Sequence, residues 1–222
     1  MRSHRQTIAD AARLVARLKR LNWEKVRRRA RRTLYHFAED RIYRLPVDEA
    51  LEFEEVPEFH FDSWDDLKSY VPGPGESREA LLTLWRGRLD VGEHVYTRTE
   101  NGCLATYGWM IERQSSCFLN DVRQRMEMPE APAVLYDFFT APEFRNRDFY
   151  PLLLMHSVRH TAVTVPGIRW IYMTVRADDA VPRWWVERLG AHYCESYFYR
   201  RVLWREEKWR GVEANSLTNA RA

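Results

Sequence analysis

Between Phe138 and His160 the chain reads FFTAPEFRNRDFYPLLLMHSVRH. Aromatic, strand-like residues run into Pro142, then into a short polar loop carrying Arg145 and Arg147, and then into a long apolar segment at helical spacing. A helix N-terminus presents unpaired backbone N–H groups and the positive end of the peptide dipole, so this layout is suited to holding a phosphate. The loop is unusual in having no glycine. His156 and His160 share one face of the helix, but HSVRH lacks the acidic residue of an HExxH motif and no third ligand is evident, so no metal is expected. Cys103, Cys117 and Cys194 form no CxxC pair and read as small buried hydrophobes rather than a disulfide framework.

The flanking elements follow from periodicity. SREALLTLWRGRL places Leu81, Leu84 and Trp85 on one helical face, and EHVYTRTENGCLATYGWMIE alternates around Asn101-Gly102, a type I′ hairpin signal. AVLYDFFTA is a further strand, IRWIYMTV the next, DDAVPRWWVERLG a helix with Pro182 in its first turn and Gly190 at its end, and AHYCESYFYRRVLW a last long strand. Helix, hairpin, strand, helix, strand, helix, strand is an α/β arrangement around a mixed, largely antiparallel sheet flanked by helices. Trp184 and Trp185 are expected in the core or at an interface.

With 222 residues, 45% of them apolar, the chain is long enough for one sizeable core. No run is long enough to cross a bilayer and the N-terminus lacks a secretory pattern, so a cytoplasmic protein is expected. Its net charge of +3 is unevenly spread: residues 1–45 carry 14 Lys and Arg against 4 Asp and Glu, and the remainder is net negative. Apolar residues such as Ile8, Val15, Val26, Leu34 and Phe37 recur at helical spacing there, which predicts a basic amphipathic helical extension over 1–45. That extension either packs on the acidic body or serves an anionic membrane surface, which would make the protein peripheral to the membrane, or an acidic carrier protein; nucleic acid ranks lowest, and a homodimer stays open. Residues 46–75 read as an acidic linker or lead-in strand ending in PGPG, and 206–222 as a tail.

The run 76–205 resembles the GNAT (Gcn5-related N-acetyltransferase) superfamily, whose fourth strand ends in a V-x-P-x-x-R-G-x-G-x-G/A loop. Here Thr140 to Tyr150 reads TAPEFRNRDFY, and Asp179 to Ala191, DAVPRWWVERLGA, takes the place of a later N-x-x-A-x-x-x-Y helix. The resemblance implies a GNAT-like domain that uses acetyl-CoA or another acyl-CoA as co-substrate and acylates an amine of a small molecule or amino sugar. An acyl-carrier-dependent enzyme and a non-catalytic binding module are the alternatives.

It also implies site residues. Phe138, Phe139 and Thr140 form the strand edge beside the pantetheine arm; Arg145, Asn146, Arg147, Asp148, Phe149 and Tyr150 form the pyrophosphate loop; Asp179 stands in place of the family's asparagine. Asn146 and Asp148 occupy glycine positions and tolerate left-handed backbone angles, while Asp148 needs Arg145 or Arg147 to offset its charge. Val186 replaces the usual acid, a tyrosine. Asp137, out of step with Tyr136 and Phe138, is the candidate general base, and Tyr193, beside His192 and Cys194, the candidate acid.

Overall fold

The computed structural model describes residues 35–211 except Pro129. The described strands are β1 (Tyr35–Pro46), β2 (His60–Phe61), β3 (His94–Glu100), β4 (Cys103–Ile111), β5 (Ser116–Leu119), β6 (Gln124–Glu127), β7 (Ala133–Thr140), β8 (Trp170–Arg176), β9 (His192–Val202) and β10 (Arg205–Gly211). The helices are α1 (Val47–Ala50), α2 (Trp64–Lys68), α3 (Arg78–Asp90), α4 (Phe149–Thr164) and α5 (Ala180–Arg188). One sheet takes the order β10-β9-β1-β8-β7-β4-β3-β2, and β5-β6 is a separate hairpin. β7 and β8 are parallel, while β1 with β8, β2 with β3, β3 with β4 and β4 with β7 are antiparallel. The chain forms a main unit, residues 38–198 with 208–211, and a small one, residues 35–37 with 199–207. Inside the small unit Tyr199 donates to Glu206 (2.9 Å) and Arg200 to Glu207 (3.0 Å).

Period-two alternation splits the apolar residues between two cores. On one face Val95, Leu104 and Trp109 pack with Leu67 and Tyr70 and with Trp85 of α3; on the other Tyr96, Met110, Leu135 and Met173 pack with Leu153, Leu154 and Val158 of α4 and Val186 of α5. Each of these fully buried side chains contributes about 1.5–3 kcal/mol. The expected punctuation holds: Ser77 caps α3 by accepting from Ala80 N–H (3.3 Å), and Asn101 and Gly102 both have positive φ in the β3–β4 turn.

Three expectations give way. Residues 35–45 are strand, not the end of a basic helix: Arg41, Tyr43 and Leu45 alternate with Asp40, Ile42 and Arg44, and β1 pairs with β8 from Asp40↔Arg176 to Pro46↔Trp170. Ladder hydrogen bonds and burial on both faces outweigh a helical pattern of charges. Residues 1–34 of the predicted extension lie outside the described residues. Residues 206–211 are strand rather than tail, held by Trp209 stacked on Phe198 at 5.1 Å and by Gln124, whose amide donates to Phe198 O (2.8 Å). Residues 46–75, expected as an acidic linker or lead-in strand, hold two short helices and a two-residue strand.

Candidate functional site

The sheet opens at one place. β7 and β8 pair only over Ala133–Leu135 and Ile171–Met173, although β7 runs on to Thr140. At the point of separation β7 carries a bulge: Tyr107 opposes Phe139 and Trp109 opposes Tyr136, so Asp137 and Phe138 together face Gly108. Asp137 takes a left-handed φ of 51° there. A Cβ on Gly108 would lie 2.7 Å from the Phe138 ring, so glycine is what lets that ring approach β4 this closely. Beyond the bulge, the side of β7 toward β8 has no strand partner among the described residues.

Two cavities meet at this opening. The first, about 490 Å³, lies at the N-terminus of α4 and is lined by Phe138, Phe139 and Thr140 of β7, by the loop through Arg145, Asn146 and Asp148, and by Asp179 and Trp185. The second, about 330 Å³, lies in the gap between β7 and β8. Leu135, Met173, Leu154 and Val186 line it from the α4 face; Tyr136, Asp40 and Arg176 line it from the other face, together with Cys117 to Asp121 of the β5–β6 hairpin. Phe138, Tyr150, Asp179 and Pro182 border both cavities.

The loop between β7 and α4 takes a glycine-like backbone without glycine. Asn146 has φ 64° and Asp148 φ 57°. Asn and Asp reach that region at a modest cost, of order 1 kcal/mol each. Asp148 is the N-cap of α4, yet its carboxylate caps no amide, and Pro151 in the first turn has no N–H to satisfy. The amides of Phe149 and Tyr150 therefore stay available. Arg145 lines the cavity and donates to Thr140 O (3.3 Å). Arg147 does not; its guanidinium sits 5.6 Å over the Phe144 ring. The donor set thus suits a pyrophosphate through backbone and Arg145, with Asp148 and Asp179 as opposing charges.

The two predicted catalytic residues separate. Asp137 lines the gap but is held by Arg88 of α3 (2.6 Å), whose guanidinium also stacks over Trp109 (4.8 Å) and Tyr136 (5.2 Å). Tyr136 in turn donates to Glu93, and burial raises its hydroxyl pKa. Tyr193 borders neither cavity. It packs edge-on against Tyr43 and bonds to Ser196 (2.9 Å), which donates to Glu39 (2.9 Å). Val186 does line the gap, and Tyr150 stands edge-on to Phe138 with its hydroxyl pKa raised by burial and by Asp179.

Sequence reasoning missed Asp40. It sits on β1, 7% exposed, and lines the gap. Its strand partner Arg176 is turned to Asp178 in a two-point pair (3.0 and 2.8 Å), leaving the Asp40 carboxyl without a hydrogen bond or ion pair among the described residues. Burial, then Asp121, push its pKa up to about 7, against the opposing pull of Arg176. The signal was the alternation Asp40, Ile42, Arg44, which a helical reading of residues 1–45 concealed.

No protein-family model and no curated protein matches the chain. Among solved structures, a tandem GNAT protein from the clavulanic acid biosynthesis pathway superposes with a TM-score of 0.50 at 15% identity, over 77% of this chain and 55% of that one. An acetyltransferase of the GNAT family from Colwellia psychrerythraea gives 0.50 at 11% identity, over 75% and 55%. The chain therefore has the GNAT fold, and it spans a little over half the length of these structures.

Proposed function

We propose that this protein is an N-acyltransferase that takes an acyl group from acyl-CoA and passes it to the amine of a small molecule or amino sugar. The observation that carries this reading is the pair of cavities joined at Phe138, Tyr150, Asp179 and Pro182, one at the N-terminus of a long helix and the other through the gap in the sheet. The first offers backbone N–H groups and Arg145 to the pyrophosphate. The open side of β7 can pair with the amides of the pantetheine arm as an added strand does. The thioester then reaches the gap, where an amine arriving from the β5–β6 side meets it and unpaired N–H groups of β7 can stabilise the oxyanion.

A thermal-shift series with acetyl-CoA, long-chain acyl-CoA and CoA tests the donor. A native-state ligand at 100 times its Kd stabilises by about 2.7 kcal/mol, so a shift of several degrees is expected from at least one of them. Arg145→Ala should abolish most of that shift, while Arg147→Ala should leave it nearly intact. Asp148→Gly keeps the left-handed turn and removes a repelling charge, so donor affinity should rise roughly 2- to 5-fold, the size of a charge effect of about 0.5–1 kcal/mol at a helix end. No shift at millimolar acyl-CoA overturns the proposal; turnover from an acylated carrier protein alone would transfer it to that donor.

A further inference from the structure

The gap between β7 and β8 is unequally charged. Arg88 is taken up by Asp137, and Arg176 by Asp178. Asp40 is left buried and, among the described residues, without a hydrogen bond or ion pair; Asp179 stands at the junction of the two cavities, and Asp121 on the β5–β6 turn reaches Arg176 only at 3.7 Å. Cys117 is held neutral by burial, with its pKa pushed up to about 11, and burial also raises the Tyr136 and Tyr150 hydroxyls that line the gap. A buried carboxyl facing a cavity with no partner of its own is costly unless a ligand supplies the missing cation or donor.

We infer that Asp40 receives the ammonium group of the acceptor and acts as its general base, and that Asp121 holds a second positive group, so that the acceptors are diamines or larger polyamines. This rests on the acyltransferase reading above. Asp40 takes one proton from the bound ammonium. The freed lone pair attacks the thioester carbonyl carbon, forming the C–N bond; the C–S bond then breaks, and the departing CoA thiolate accepts the second proton shed by nitrogen. Products are the amide and CoA, and Asp40 returns its proton to solvent. A carboxylate whose pKa lies close to the working pH is well matched to this task. Those facing it are Glu39 on its own strand, Arg176 and Asp178 at the end of β8, and Asp121 across the gap. All but Arg176 raise its proton affinity.

The test assays the full chain with the acyl-CoA that gives the largest thermal shift, using 1,4-diaminobutane and n-butylamine as acceptors. Wild type should favour the diamine at least tenfold in kcat/KM, with a rate that climbs through about pH 7. Asp40→Asn should keep the donor-induced shift, lose 100-fold or more in kcat and lose the rise near pH 7. Asp121→Asn should raise KM several-fold more for the diamine than for butylamine, and should move the rise in rate to lower pH for both acceptors because Asp121 helps to raise the Asp40 pKa. Donor binding without turnover of any diamine, or Asp40→Asn with wild-type rate and pH profile, would overturn the inference. Absence of donor binding in wild type would instead sink the acyltransferase reading.

Discussion

Asp40 shows how a single side chain can set function against stability. An isolated aspartate has a pKa near 3.8, and here burial lifts it to about 7. Between those two values the native protein binds more protons at this site than the unfolded chain does. Stability from this group therefore falls as pH rises from about 4 to about 7, and the full penalty applies above that, at most about 4 kcal/mol from the linkage relation. Asp40→Asn removes the charge but keeps the shape. Its Tm should exceed that of wild type by up to roughly 8–16 °C at pH 8 and by nothing at pH 4, taking about 2–4 °C per kcal/mol for a chain of this size. Equal shifts at both pH values would show that the carboxyl is not a buried, partnerless charge. Such a gain in stability is the expected counterpart of a group kept for chemistry.

At the level of elements, the bulge in β7 depends on a residue in the neighbouring strand. Gly108 has room for Phe138 only because it lacks a Cβ, and Phe138 borders both cavities. Gly108→Ala should push the ring into the opening, lowering Tm by the equivalent of about 1–3 kcal/mol and weakening acyl-CoA binding. Adding Phe138→Ala should recover stability relative to the sum of the single changes, a coupling that a double-mutant cycle in thermal unfolding would read directly. Independent, additive effects would refute the contact. This element was half legible in the sequence. Strand, Pro142, loop and helix could be read from period and turn chemistry, as could the left-handed Asn146 and Asp148. The bulge could not, because AVLYDFFT alternates well enough to pass for a regular strand, and a bulge is visible only in the register of its partner. β1 and the β5–β6 hairpin were lost for a related reason: their short runs are defined by what they pair with or cover. With them went Asp40 and Asp121, so the strand and loop that line the first cavity were legible in the sequence and the hairpin side of the gap was not.

Across the whole molecule the sheet separates one core from the other, and the gap between β7 and β8 is where a ligand can lie between them. α4 and α5 flank that gap on one face, whereas Trp85, Val95 and Trp109 pack in the α3 core on the other. A bound donor should therefore stiffen the molecule unevenly. Amides with no intrahelical acceptor, those of Phe149 and Tyr150, open in the free protein and are engaged in the complex. If they exchange only from the ligand-free state, a donor present at 100 times its Kd slows them about 100-fold. Backbone amides at the start of α5, beside Asp179, should slow to a smaller degree because that turn borders both cavities. Amides in the middle of α3 should keep their rates, since no part of the proposed donor path touches them. Hydrogen exchange with and without acyl-CoA would separate this pattern from general stabilisation, in which α3 and α4 slow together. Uniform slowing would mean that the donor binds somewhere other than the opening in the sheet.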